Sequence, residues 1–265
     1  MIDTHAHVHS RAFDSDRAEV LARAWESGVT ALLEVNIDVE GWGAAQATVA
    51  LDPRIFGAVG IHPHDTARAT LAEFEAMTSD LTAPWLRAIG ETGLDYYRDY
   101  APSEIQQQFF ARHVGLARDS GLPLVVHVRE KPEGPSAHDD ALRILEEEGR
   151  GQVRGVLHCF SGDLHVARRA HALGFRLGIG GAHTYAPKKA GPLLVAIAQE
   201  LGLGMFVLET DCPYLTPHPH RNARNEPANV SLTAAVLAGY LGLPVAEVER
   251  STDGEARTLF SLPGV

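Results

Sequence analysis

Eight short apolar segments, separated by longer amphipathic stretches, recur along the whole chain and constrain its fold more than any other feature. Buried strands that alternate with helix-favouring stretches are typical of parallel βα units. The predicted strands cover residues 1–4, 30–36, 55–61, 85–90, 122–128, 155–160, 175–179 and 205–210. Eight such units close into a (β/α)8 TIM barrel, for which 265 residues is an ordinary length. We therefore predict an α/β protein with a single domain over residues 1–265.

Helix-favouring stretches lie between and after these strands. The predicted helices cover residues 16–27, 39–50, 69–81, 103–120, 138–148, 164–173, 192–201, 230–241 and 245–260. The clearest start is Ser103, because Pro102 is tolerated at a helix start and the acidic Glu104 favours the dipole. Gly121, followed by Pro123, ends that helix before the next strand.

Six side chains of metal-binding type lie at or just past the ends of predicted strands. They are His5, His7, Glu91, His127, His158 and Asp211. Residues at i and i+2 of a strand point the same way, so His5 and His7 present two imidazoles on one side. The carboxyl ends of all strands in a parallel barrel meet at one mouth, where these six residues would gather.

Such a set of nitrogen and oxygen ligands is suited to a pair of divalent cations. His5, His7 and Asp211 are predicted to hold one ion, and His127 and His158 the other. Glu91 is the predicted bridge, because a carboxylate offers two oxygens. One ion of such a pair lowers the pKa of water, and both neutralise charge that develops on a phosphate. The ligands admit magnesium, manganese, zinc or iron.

Charge and composition exclude several classes of protein. The net charge of −11 argues against a protein that coats nucleic acid through broad phosphate neutralisation. No apolar run reaches the roughly 18 residues of a membrane span, so we expect no membrane partner. The opening residues Met1 to His5 lack the basic segment and apolar core of a secretory signal, and we expect a cytoplasmic location.

The two cysteines, Cys159 and Cys212, each directly follow a predicted metal ligand. We interpret both as buried small hydrophobic residues and not as a disulfide.

Five motifs, in order along the whole chain, carry a family resemblance. They are Asp3-Thr4-His5-Ala6-His7, Gly60-Ile61-His62-Pro63-His64, Gly90-Glu91-Thr92-Gly93-Leu94-Asp95, His158-Cys159-Phe160-Ser161-Gly162 and Glu209-Thr210-Asp211-Cys212-Pro213-Tyr214-Leu215. Together they resemble those of TatD-type metal-dependent deoxyribonucleases. The resemblance implies a barrel of the amidohydrolase superfamily, two divalent metals and phosphodiesterase activity, often as a 3′-exonuclease on single-stranded or damaged DNA.

The resemblance also implies roles for individual residues. Asp211 would ligate a metal and help to deprotonate the nucleophilic water, so Asp211 and the bridging Glu91 are the predicted catalytic residues. His62 and His64 would contact the scissile phosphate or the leaving oxygen. Arg-Asn occurs twice in the loop over residues 213–229, at Arg221 and at Arg224. Only the second copy is followed by the Glu-Pro that the family shows. Arg221 and Arg224 therefore both remain candidates for contact with the substrate.

Other residues near the predicted mouth are assigned from their own chemistry. Arg129 lies two residues beyond His127, on the same side of the strand, and is a candidate phosphate clamp. Tyrosines that follow predicted strands could stack on bases: Tyr96, Tyr97, Tyr185 and Tyr214. The loop over residues 131–136 is predicted to contact substrate, because βα loops line the mouth of a barrel.

Two alternative functions remain open on the sequence alone. A barrel hydrolase of the same superfamily could act on a small ester, amide or lactone, because fold and metals do not fix the substrate. A metal-stabilised scaffold would bind partner proteins without turnover, although structural metal sites usually need only one ion. The leading prediction is DNA as the substrate, with single strands favoured and no obligate protein partner.

Overall fold

The computed structural model describes residues 1–98 and 100–263, and its eight strands form one parallel sheet in sequential order. The strands are β1 (Ile2–Ala6), β2 (Ala31–Val35), β3 (Ile55–Val59), β4 (Leu86–Asp95), β5 (Leu124–Arg129), β6 (Gly155–His158), β7 (Phe175–Ile179) and β8 (Phe206–Leu208). The chain after β8 returns to β1, where the Asp211 amide donates to the His5 carbonyl at 2.8 Å. A bridge pairs Ala6 with Cys212. The predicted (β/α)8 TIM barrel is confirmed.

Helices alternate with the strands and cover the outside of the barrel. They are α1 (Arg17–Glu26), α2 (Trp42–Val49), α3 (Leu71–Met77), α4 (Ser103–Ser120), α5 (Ala137–Gly149), α6 (Leu164–Ala172), α7 (Pro187–Leu201), α8 (Val230–Leu241) and α9 (Val245–Phe260). The bounds of α4, α8 and α9 agree with the prediction. Gly121 ends α4, as the sequence predicted, and it adopts the left-handed conformation at φ 72°. No single helix in the described ranges is long and apolar enough to cross a membrane.

The prediction that the seventh helix begins at residue 192 is wrong. Helix α7 begins at Pro187, and Pro192 lies inside it. Pro187 and Pro192 are both compatible with a helix start. The backbone amides of the first turn make no intrahelical hydrogen bond, so a proline there removes none. The earlier proline begins the helix, and the chain continues helically through the later one.

The interior of the barrel is apolar at its amino end and polar at its mouth. Ile2, Leu33, Val125, Val156 and Val207 pack in one buried cluster with the end of α9. Strand alternation then points the residues two positions further on toward the same axis. Val125 is followed in this way by His127, and Val156 by His158. The sequence thus places the imidazoles of His127 and His158 at the mouth, next to the apolar cluster that fills the amino end of the barrel.

Strand β4 continues to Asp95, whereas the sequence predicted that it ends at residue 90. Two glycines permit the longer strand, since a Cβ on Gly90 would lie 2.5 Å from the Val125 carbonyl oxygen, and one on Gly93 would lie 2.0 Å from that of His127. Both glycines adopt positive φ, at 145° and 135°. The extension carries Glu91 and Asp95 along the edge of β5, beside His127.

Candidate metal centre

The carboxylate of Glu91 lies at the centre of the mouth and faces different histidines with its two oxygens. Its Oε2 is 3.3 Å from Nε2 of His5 and 3.7 Å from Nε2 of His7. Its Oε1 is 3.1 Å from Nδ1 of His127 and 3.8 Å from Nε2 of His158. Glu91 is only 3 % exposed. One carboxylate therefore separates two groups of potential ligands.

Asp211 approaches the same space from the end of β8. Its Oδ1 is 3.3 Å from Nε2 of His7, 3.8 Å from Nε2 of His5 and 4.0 Å from Nε2 of His158. The residue adopts a left-handed φ of 58°, which is uncommon for a non-glycine residue and recurs at functional sites. All six predicted ligands thus lie together.

Hydrogen-bond acceptors lie behind His7 and His127, and a carboxylate lies behind His158, so that one ring nitrogen of each faces the centre. Nδ1 of His7 donates to the Val35 carbonyl oxygen at 2.8 Å, so its Nε2 faces inward. Nε2 of His127 is 3.1 Å from Oδ2 of Asp95, and its Nδ1 faces Glu91. Nδ1 of His158 lies 3.1 Å from the Glu209 carboxylate, and its Nε2 faces inward. A histidine that ligates a metal usually has its other ring nitrogen next to a carboxylate, a backbone carbonyl or a water molecule.

The donor set fits a bound cation. Ligand atoms of His5, His7 and Asp211 all lie within 4.8 Å of one another. Histidine nitrogens and carboxylate oxygens suit zinc, manganese and other divalent ions. The geometry therefore supports a metal centre at the mouth of the barrel.

His62 lies closer to this centre than the sequence suggested. Its Nε2 is 3.4 Å from Oε1 of Glu91 and 3.3 Å from Nδ1 of His127. Its Nδ1 accepts a hydrogen bond from the His64 amide, which leaves the proton of the neutral ring on Nε2. Burial lowers the pKa of His62 to about 4, against the opposing effect of Glu91, and keeps the ring neutral. His62 consequently presents its Nε2–H toward the centre as a hydrogen-bond donor.

The electrostatics of the cluster keep its carboxylates ionised. Burial opposes the charged form of Glu91, but His62 and His5 hold its pKa well below the usual range. Burial likewise opposes ionised Asp211, whose pKa is nonetheless lowered by His7 and His158. Against the cost of burial, Asp211 and Glu91 raise the pKa of His7 to about 9. Negative charge in a buried cluster of this kind attracts a cation.

His64 and Asp95 form a second layer beside the centre. Nε2 of His64 is 2.8 Å from Oδ2 of Asp95, the oxygen that also contacts His127. The Asp95 side chain is fully buried, and its Oδ1 accepts from the backbone amides of Tyr97 and Arg98. Sequence reasoning gave Asp95 no role, because its pairing with His127 depends on the register of β4 against β5.

The structure separates the two candidate arginines of the last loop. Arg224 is held by Asp16 through two hydrogen bonds of 2.8 and 2.6 Å, and it also donates to the Ala12 carbonyl. Arg221 is exposed and lies over the Tyr185 ring, 4.2 Å from its centroid. Of these two, Arg221 is the arginine placed to contact a ligand.

Other predicted contacts surround the mouth with aromatic and cationic groups. Arg129 is exposed and lies 4.2 Å from the centroid of the Tyr97 ring. Tyr214 is 54 % exposed, and its ring centroid is 6.1 Å from that of His7. The hydroxyl of Tyr96 donates to Asp140 at 2.9 Å. An arginine thus lies over one face of Tyr97 and over one face of Tyr185, and Tyr214 presents its ring to solvent.

The two cysteines are free thiols with different surroundings. Cys212 is fully buried and packs with Ala6 and Val8, as expected of a small hydrophobe. Cys159 is partly exposed, and its amide donates to Glu209 at 2.6 Å.

Comparisons with known proteins agree over nearly the whole chain. The model of a family described as TatD related DNase matches residues 2–261. A Bacillus subtilis protein named as an uncharacterized metal-dependent hydrolase, YabD, is 35% identical over 263 residues, which are 99% of each chain. A Shigella flexneri protein named 3'-5' ssDNA/RNA exonuclease TatD is 30% identical over 267 residues, 99% of each chain. The crystal structure of YJJV, a TatD homolog from Escherichia coli, superposes with a TM-score of 0.88 at 27% identity and covers 99% of this chain and 98% of its own.

Proposed function

The chain belongs to the TatD-related DNase family of metal-dependent hydrolases, and we propose that it hydrolyses phosphodiester bonds of DNA from the 3′ end, with single-stranded or damaged DNA preferred. The observation that carries the proposal is the buried Glu91 carboxylate, whose two oxygens face two separate groups of histidines. That arrangement suits a pair of divalent ions, which offset charge on a phosphate and lower the pKa of water when bound.

Each residue of the centre has a role in this proposal. His5, His7 and Asp211 would hold one ion, His127 and His158 the other, and Glu91 would bridge them. Asp211 is ionised and lies at the edge of the cluster, with 14% of its side chain exposed, so it can accept a proton from the attacking water. His62 donates through Nε2 to an oxygen of the scissile phosphate.

The surroundings of the centre favour a polynucleotide over a small neutral ester. Arg129 at the end of β5 and Arg221 in the loop after β8 provide cationic groups, and Tyr214 presents an exposed ring near His7. Guanidinium groups bind phosphate, and aromatic rings stack on bases irrespective of sequence. The Shigella flexneri relative is named as an exonuclease of single-stranded DNA and RNA, which supports the same class of substrate.

Oligonucleotides labelled at either end test the proposal. We expect the 3′ label to be released first as a mononucleotide and the 5′-labelled strand to shorten stepwise, with added magnesium or manganese and not with chelator. Glu91→Gln should abolish cleavage, whereas Glu147→Gln, the same change on an exposed helix face, should not. Hydrolysis of small esters or amides without cleavage of DNA would contradict the proposal and favour the small-substrate alternative.

A further inference from the structure

A cleft of about 770 Å³ lies beside the candidate metal centre, between the loops that follow β4 and β5. Its lining includes Tyr96 and Tyr100 from the first loop, Gln107 from α4, Lys131 from the second loop and Asp140 from α5. The volume is in the range of small-molecule sites. Tyr96 and the loop over residues 131–136, both predicted from the sequence to contact substrate, line this cleft.

Short contacts connect the cleft to the metal centre. The Tyr100 ring in the cleft wall packs edge-on against His64, with 4.7 Å between centroids and 88° between planes. His64 in turn contacts Asp95 at 2.8 Å, and Asp95 contacts His127 at 3.1 Å. A nucleic-acid strand held at the centre would therefore reach the cleft with a neighbouring nucleotide.

The polar side of the cleft is a fixed network of donors and acceptors. Nε2 of Gln107 donates to the Tyr96 hydroxyl at 2.7 Å, and that hydroxyl donates to Oδ2 of Asp140 at 2.9 Å. Arg143 holds the other oxygen of Asp140 at 3.0 Å. Burial and the bond to Asp140 raise the pKa of Tyr96 to about 12, so the hydroxyl remains protonated. Such a network holds the Tyr96 side chain in place in the cleft wall.

The cleft also has an exposed aromatic ring in its lining. Tyr100 is 61% exposed, although tyrosine buries a large apolar ring when a partner is available. The lining is of mixed charge, with Asp140 and Glu133 beside Lys131, and so it offers a phosphate no excess of positive charge. An exposed ring, a polar edge and lining carboxylates together suit a neutral aromatic base.

We propose that this cleft binds a nucleobase of the substrate strand, stacked on Tyr100, one or two nucleotides from the scissile phosphate. The inference rests on the proposed nuclease function and adds a base-binding subsite to it. Binding there depends on the presence of a base and not on its identity, because stacking tolerates every base.

Oligonucleotides with one abasic position, moved stepwise from the 3′ end, test the subsite. In the unaltered protein, one position should raise KM by roughly 5- to 150-fold with little change in kcat. Tyr100→Ala should raise KM for intact DNA to a similar extent, and the abasic position should then add nothing. Tyr100→Phe keeps the ring and should retain the abasic penalty that Tyr100→Ala loses. Melting temperatures of all variants establish that they are folded.

The outcomes separate this inference from the function on which it rests. Cleavage of DNA with an equal effect of every abasic position would overturn the subsite and leave the nuclease proposal intact. An abasic penalty that persists in Tyr100→Ala would do the same. Absence of cleavage of any oligonucleotide would overturn both.

Discussion

Glu209 lies directly behind His158, with its Oε1 3.1 Å from Nδ1 of the ring whose Nε2 faces Glu91 and Asp211. Glu209 is fully buried, and its Oε1 also accepts from the Cys159 amide at 2.6 Å. The His5 ring stacks on His158 with centroids 3.6 Å apart, and its buried Nδ1 has no hydrogen-bond partner among the described residues. One carboxylate thus orients an imidazole that is itself packed on a second one.

Glu209→Gln should weaken metal binding by about 10- to 100-fold, as expected when the outer partner of a ligating histidine is altered. The amide keeps the shape of the side chain but removes the charge that faces His158. Titration calorimetry with manganese or zinc measures the affinity directly. Glu200→Gln, on the exposed face of α7, is the matched control and should leave affinity unchanged. Equal affinities in both variants would mean that Glu209 has only a packing role.

Gly178 provides the space that Glu209 occupies. A Cβ at this position of β7 would lie 2.2 Å from Oε2 of Glu209, which no real contact permits. Gly178→Ala should therefore displace the carboxylate and reduce metal affinity in the same direction as Glu209→Gln. The double variant should be no weaker than Glu209→Gln alone, since both changes remove one interaction. Fully additive losses in the calorimetric titration would contradict this coupling.

Metal binding should stabilise the fold as well as support catalysis. The buried ligands form around the closed barrel, so an ion that binds only the folded state adds about 2.7 kcal/mol at one hundred times its dissociation constant. For a chain of this size the melting temperature should rise by roughly 5–10 °C. Differential scanning calorimetry with and without chelator measures the shift. Glu91→Gln should show a much smaller shift, and an equal shift in that variant would place the stabilising ion elsewhere.

Much of this fold could be predicted from the sequence, because apolar periodicity defines the strands and their order follows from short connections. The convergence of His5, His127 and Asp211 follows from the same argument. The extent of β4 did not follow, since Gly90 and Gly93 suggest a strand end until their close approach to β5 is seen.

Contacts between distant parts of the chain account for what the sequence could not predict. Glu209 and Asp95 belong to quoted motifs, yet their pairing with His158 and His127 depends on the register of neighbouring strands. The choice of Arg221 over Arg224 depends on Asp16, which lies just before α1 and more than 200 residues away. The exposure of Tyr100 depends on where the loop after β4 crosses His64.

His113 should make the fold less stable in mild acid. It is fully buried in α4, its Nδ1 lies 2.7 Å from the Phe109 carbonyl oxygen, and its Nε2 accepts from the Ile61 amide. Burial lowers its pKa from 6.5 to about 4. Between these values the unfolded chain binds a proton that the folded chain does not, so the unfolding free energy falls as pH falls through this window. The loss is about 3 kcal/mol in total.

Urea denaturation from pH 7 to pH 4 measures this effect. His113→Gln should be less stable at pH 7 but should lose less stability toward pH 4 than the unaltered protein. His165→Gln, at an exposed histidine, should retain the full pH dependence. Parallel curves for His113→Gln and the unaltered protein would show that His113 does not titrate in this window.

The two arginines of the last loop should differ in how they affect DNA binding. Arg221 is exposed over Tyr185, so Arg221→Ala should weaken binding of single-stranded DNA and reduce the slope of log affinity against log salt by about 0.7, the value for one lost phosphate contact. Arg224 is bound to Asp16 and Ala12, so Arg224→Ala should lower the melting temperature and leave the slope unchanged. Fluorescence anisotropy over a series of salt concentrations, in a Glu91→Gln background that prevents cleavage, measures both slopes. A reduced slope for Arg224→Ala with none for Arg221→Ala would reverse the assignment.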